Sequence, residues 1–186
     1  MEDSATYKID RPIVLIGMMG VGKTTYGKKL ASLINVPFID VDQTIENEIG
    51  HSVSWIFENV GESKFRQMEE NKTRELLDEH KHLVLALGGG AFLNENTRKI
   101  IKQKAVSVWL TSSPEVIFSR VSVRKDRPLL EGVEDKLGKI KEIMDNREQY
   151  YKQADVSVIT DHGNQKDIST RIIKEIDLFL TKTNSK

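Results

Sequence analysis

The chain has no cysteine among its 186 residues, which excludes a disulfide scaffold, a thiolate metal site and a cysteine nucleophile. It has no surplus of charge either: 28 basic and 28 acidic side chains cancel. A general nucleic-acid coat needs a basic excess, so nucleic acid is not an expected partner. No apolar run approaches the roughly 20 residues that cross a bilayer, and no membrane partner is expected. The strongest run, Ile13 to Gly22, is short, carries three glycines and ends at Lys23. The start, Met1-Glu2-Asp3-Ser4, lacks the basic-then-apolar layout of a secretory signal and is unlike an Arg-rich transit peptide. A cytoplasmic location is therefore expected. The four histidines, His51, His80, His82 and His162, show no metal-ligand spacing and are expected at surfaces or turns.

What is present is an ordinary globular composition, 38% hydrophobic and 30% charged. A chain of this length forms one domain and buries about 70% of its extended surface. Ile13-Val14-Leu15-Ile16 reads as a strand buried on both faces, because no polar residue interrupts it. Leu83–Leu87 and Val106–Leu110 read similarly, and Pro37–Asp40 and Val156–Ile159 are shorter candidates. Stretches of 3.6-residue period lie between them, at 24–34, 62–79, 95–103, 114–121, 134–152 and 165–180. This alternation predicts right-handed βαβ units and a parallel sheet of five strands with helices on both faces. The polar tail, Thr181 to Lys186, is expected to fray. The aperiodic stretch Ser122 to Val133, rich in charge, reads as a lid or as a solvated connection.

Gly17-Met18-Met19-Gly20-Val21-Gly22-Lys23-Thr24 fits G-x-x-x-x-G-K-[ST] between a buried strand and a helical pattern. Glycines there let backbone N–H groups face an anion, and the following helix adds the partial positive charge of its N-terminus. Lys23 can reach β- and γ-phosphates, and the Thr24 hydroxyl is a hard ligand for Mg²⁺. The motif implies a nucleoside triphosphate and magnesium, and leaves the acceptor undefined.

Three clusters bear on the acceptor. Asp40 and Asp42 follow the second strand, and strand alternation puts them on one side, where one can serve Mg²⁺ and the other can take a proton from an alcohol. One of them can equally be a cap for a helix beginning near Gln43. Arg66 and Glu69 share a helix face, as a carboxylate-binding arginine with its brace or as a surface pair; on the residues alone the surface pair is favoured. Gly88-Gly89-Gly90 suits a ligand lying against the backbone, or a tight turn into the next helix; on the residues alone the turn is favoured.

The ordered set of these motifs resembles shikimate kinases. It runs from the phosphate loop through Asp40-x-Asp42-x-x-Ile45-Glu46, Gly61-Glu62-x-x-Phe65-Arg66-x-x-Glu69, Leu87-Gly88-Gly89-Gly90-Ala91, Arg127-Pro128-Leu129-Leu130 and Arg147-x-x-Tyr150-Tyr151 to Ala154-Asp155. The resemblance implies a single P-loop kinase domain over 1–186, a three-layer α/β/α sandwich with strand order 2-3-1-4-5. It implies a substrate-binding region at about 43–70 and a lid at about 122–132. The implied reaction is transfer of a phosphoryl group from ATP to the 3-hydroxyl of shikimate, with Mg²⁺ as cofactor. ATP would contact Gly20, Val21, Gly22, Lys23, Thr24, Thr25, Arg120 against the adenine, and Arg127. Thr24 and Asp40 would serve the metal. Lys23, Asp42 and Arg127 would be catalytic. Shikimate would contact Asp42, Arg66, Gly88, Gly89, Gly90 and Arg147, with Glu69 bracing the arginines. A monomer is the expected state. The segment Asp161-His162-Gly163-Asn164 departs from the family in lacking an arginine to cover the adenine.

Two further readings stay open on the residues. One is a P-loop kinase for a nucleoside monophosphate or gluconate, although Asp42 with Arg66 fits a polyol carboxylate better. The other is a nucleotide-binding regulator without catalysis, against which Lys23, Thr24, both aspartates and Arg127 argue.

Overall fold

Ile13–Ile16 forms the central strand (β1), buried on both faces, in the computed structural model, which describes residues 9–122, 130 and 132–184. Its unbroken apolar character suits a position between two parallel neighbours, Val84–Ala86 (β3) and Val106–Thr111 (β4). Phe38–Asp40 (β2) pairs beyond β3 and Val156–Ile159 (β5) beyond β4, which gives the order β2-β3-β1-β4-β5, parallel throughout. The edge strand β5 alternates instead, with Val156 and Val158 inward and Ser157 and Ile159 exposed. Helices cover both faces of the sheet, as the alternating pattern predicts. They are Lys23–Ile34 (α1), Val41–Ile49 (α2), Val53–Asn59 (α3), Glu62–Glu79 (α4), Glu95–Lys104 (α5), Pro114–Val121 (α6), Lys136–Tyr151 (α7) and Gln165–Asn184 (α8). Leu15, Leu85 and Leu110 of the sheet are buried, as are Leu30 of α1, Ile101 of α5, Ile140 of α7 and Ile172 of α8.

Three elements differ from the sequence reading. The chain turns helical at Val41, so Asp42 lies in the first turn of α2 and strand alternation does not govern it. The seven-residue helix α3, too short to show a period, was not anticipated. At the other end, α8 runs on to Asn184 where fraying was expected. There the hydroxyls of Thr181 and Thr183 donate to the carbonyls of Asp177 (2.8 Å) and Phe179 (2.9 Å).

The loops after β1, β2 and β3 gather at the carboxyl edge of the sheet, where ligands bind in open α/β folds. The region expected to bind the acceptor, about 43–70, comprises most of α2, all of α3 and the first half of α4. Most of the expected lid, including Arg127, lies outside the described residues.

Candidate active site

The turn that leaves β1 is shaped by glycine. Gly17 has φ +137°, and a Cβ there would stand 2.2 Å from the carbonyl oxygen of Leu110. Gly22, at φ +99°, is the N-cap of α1 and offers no side chain to its first turn. The first N–H groups of α1 therefore remain available to an anion. Lys23 folds back along the loop, its Nζ donating to the carbonyls of Gly17 (2.8 Å) and Met18 (3.0 Å). Thr24 Oγ1 donates to Asp40 Oδ2 at 2.9 Å. Asp40 also caps α2, accepting from the Gln43 amide at 3.4 Å, so the capping reading holds for the same side chain that meets Thr24. Two hard oxygens are thus side by side at the mouth of the phosphate loop, a donor set that fits Mg²⁺ completed by phosphate and water.

A cleft of about 910 Å³ extends from this loop across the ends of β2 and β3. Its lining includes Gly20, Gly22, Lys23, Thr24, Thr25 and Arg120 on the nucleotide side, and Asp42, Arg66, Gly88–Gly90 and Arg147 on the other. Val21, within the loop, does not line the cleft; its side chain is buried, 1% exposed. Apart from Val21, the expected site residues that the structure describes line this one cleft.

The three glycines after β3 face four charged side chains between them. A Cβ on Gly88 would meet Glu69 Oε1 at 2.4 Å and Asp42 Oδ1 at 2.7 Å. One on Gly89 would meet a guanidinium nitrogen of Arg147 at 3.0 Å, and one on Gly90 the guanidinium of Arg66 at 2.5 Å. None of the three has positive φ, so room for these groups, not backbone freedom, requires glycine here.

Arg66 is held within its own helix. Its guanidinium donates to Glu62 at 3.0 Å and makes a short contact with Glu69, while the ring centroids of Phe57 and Phe65 lie 5.4 and 5.5 Å from it. Glu69 is 1% exposed, so the pair is an interior one and the surface-pair alternative falls away. Burial pushes the Glu69 carboxyl up to about 7, with Asp42 adding to the shift and Arg66 opposing it. Burial likewise raises Asp42, to about 6; Asp40 and Glu46 add to it, against Lys23 and Arg66.

On α7, Arg147 donates to the carbonyl of Gly89 at 3.0 Å, and the Tyr151 hydroxyl donates to the same oxygen. Burial raises the Tyr151 phenol, which keeps it a donor. The sequence reading misses this role of Tyr151, for which the signal is its spacing of four from Arg147 on one helix face.

Arg120 reaches from α6 to the wall of the cleft. It donates to the Thr160 carbonyl at 2.8 Å and to the carbonyls of Gly20 and Val21 at 3.4 Å. Thr160 thus ties the end of β5 to the phosphate loop, a link that the sequence reading missed. The neighbouring Asp161 accepts from Ser112 Oγ (2.5 Å) and the Ser113 amide (2.9 Å) at the start of α6.

The outer wall comes from α3. Glu46 Oε1 accepts from the Val53 amide at 2.8 Å and Ser52 Oγ from that of Trp55 at 3.2 Å, which pins the helix start beside the cleft. Val53 and Phe57 line it, whereas Trp55 is 37% exposed and stacks on His51.

Comparison with known proteins agrees with this geometry. The family model described as shikimate kinase matches residues 19–177. A curated shikimate kinase from Rhodopseudomonas palustris is 45% identical over 149 residues, 80% of this chain and 72% of that relative. One from Novosphingobium aromaticivorans is 38% identical over 180 residues, covering 93% of this chain and 91% of the relative. Among solved structures, shikimate kinase from Acinetobacter baumannii in complex with shikimate superposes with a TM-score of 0.86 at 34% identity, covering 96% of this chain and 98% of that one.

Proposed function

The chain belongs to the shikimate kinase family, and from that premise we infer the work of each group in its reaction. The enzyme transfers the γ-phosphoryl group of ATP to shikimate. The observation that carries the assignment of roles is the glycine floor, which sets a carboxylate pair and two guanidinium groups side by side next to the phosphate loop.

Phosphoryl transfer needs alignment and charge neutralisation more than covalent help. The N–H groups at the start of α1 and Lys23, which exchanges loop carbonyls for phosphate oxygens, hold the triphosphate. Arg66 and Arg147 take the shikimate carboxylate, an anion suited to the planar fork of guanidinium. With the acid end fixed there, the 3-hydroxyl faces Asp42. Its oxygen attacks the γ-phosphorus, the bond to the β–γ bridging oxygen breaks, ADP leaves with that electron pair, and the hydroxyl proton passes to the Asp42 carboxylate. Thr24 and Asp40 would hold Mg²⁺, which when bound supplies charge neutralisation on the phosphates. Arg127, from the segment 122–132 proposed as the lid, would add a cation to the transferred group and help exclude water. Arg120 is assigned to the adenine edge. Among the described residues no helix is long and apolar enough to cross a membrane; a cytoplasmic monomer folded as a single domain completes the proposal.

The test is ADP release from purified protein, Mg²⁺ and ATP, with and without shikimate and with gluconate or nucleoside monophosphates in its place. Turnover is expected with shikimate alone. Brisk turnover on an acceptor without a carboxylate, and none on shikimate, would overturn the reading. A second outcome follows from the floor. In Gly88→Ala the new methyl would displace both carboxyl groups, so kcat/KM for shikimate is expected to fall by about 10²-fold. The KM for ATP should stay within error of the parent in the same steady-state measurements.

A further inference from the structure

Asp42 and Glu69 meet over Gly88 with no donor between them. The two carboxyl groups converge on one point: a Cβ on Gly88 would stand 2.4 Å from Glu69 Oε1 and 2.7 Å from Asp42 Oδ1, and both oxygens are closed to solvent. Neither oxygen has a hydrogen-bond partner among the described residues. The other Glu69 oxygen, Oε2, accepts from Arg66. Ionised carboxylates only accept, so two such groups facing across a dry gap repel and leave both oxygens unpaired. One proton placed in the gap removes both penalties.

The surroundings decide which carboxyl carries it. Asp42 faces the cleft and two cations, Lys23 of α1 and Arg66 of α4; Asp40 at the end of β2 and Glu46 on its own helix oppose them. Glu69 has the smaller exposure, 1% against half-buried Asp42, with Arg66 as its neighbouring cation and Asp42 as its neighbouring anion. Glu62 meets Arg66 from the exposed side, and Arg147 and Tyr151 of α7 are turned to the Gly89 carbonyl. The proton therefore belongs on Glu69.

We propose that Glu69 works as a neutral carboxylic acid, a positioning residue that donates from Oε1 to Oδ1 of Asp42 while its Oε2 accepts from Arg66. Two consequences follow for the reaction. The hydrogen bond fixes the Asp42 carboxylate and leaves its second oxygen for the incoming hydroxyl. It also leaves the Arg66 charge uncancelled on the inner side, where the substrate carboxylate arrives. This inference rests on the role given to Asp42 above; the first readout below does not depend on the acceptor.

Infrared difference spectra of the wild-type protein and Glu69→Gln, without substrates at neutral pH, test it. A carbonyl band of a protonated carboxylic acid, shifted in D₂O and lost in Glu69→Gln, is expected. Its absence from the wild type, or its persistence in the variant, would overturn the proposal. The kinetic arm compares two substitutions. Glu69→Ala should lower kcat by about 10- to 100-fold, the range for a buried acceptor left unpaired. Glu69→Gln keeps a donor for Asp42 and an acceptor for Arg66, and should recover most of that loss. If the glutamate were needed as an anion, Gln would be as damaging as Ala. If Glu69→Ala does not fold, the spectrum and the Gln variant still decide the matter.

Discussion

Asp42→Asn is expected to lower kcat by about 10²- to 10⁴-fold, the usual contribution of a positioned general base, with little change in the KM for ATP. The amide occupies the same space in the first turn of α2 and cannot take the hydroxyl proton. The pH dependence supplies a second signature. Burial, reinforced by Asp40, raises the Asp42 carboxyl to about 6, against the opposing charges of Lys23 and Arg66. Wild-type kcat/KM should therefore decline as pH falls through about 6, and this limb should vanish from the residual activity of the variant. The sign for stability is the reverse. The folded protein binds this proton at a higher pH than the unfolded chain, so the group opposes folding above about 6 and ceases to do so as pH falls below it. Steady-state rates and thermal midpoints across pH check both statements. Unchanged kcat in Asp42→Asn would remove the aspartate from the chemistry.

Arg66→Ala should raise the KM for shikimate roughly 30- to 3,000-fold, as expected when one partner of a buried, hydrogen-bonded charge pair is removed. Two losses combine. In the proposed pose the substrate carboxylate would lose a forked donor, and Glu69 loses the cation that contacts its Oε2. ATP binding should be retained, because Arg66 lies on the acceptor side of the cleft, away from the phosphate loop. Arg66→Lys should recover little, since a point charge cannot reproduce the planar fork. Titration with each substrate varied separately distinguishes these outcomes, and an unaltered shikimate KM would move the carboxylate site elsewhere.

The parts legible in the sequence are those whose physics is local. The phosphate loop follows from Gly17, Gly22 and Lys23 in their spacing, and β1 from four uninterrupted apolar residues. The strand order came only through the resemblance, because pairing of β1 with β3 and β4 is a long-range fact. Helix α3 escaped notice because seven residues show no usable period, although Ser52 three residues before Trp55 has the spacing of a cap. The interior position of Glu69 was invisible because a helix dense in charge reads as solvent-facing, and its burial depends on Gly88 from another element. The glycine run reads on its residues alone as a tight turn, because the side chains that crowd it, Asp42, Glu69, Arg66 and Arg147, come from three other helices.

That run also limits how this enzyme can be redesigned. Beneath the acceptor there is no side chain left to trim, since Gly88, Gly89 and Gly90 already present bare main chain to four charged groups. Bulkier acids cannot be admitted by deepening the pocket. Space has to be won sideways, by shortening Val53 on α3, which lines the cleft without touching those charged groups, whereas Phe57 beside it lies against the Arg66 guanidinium.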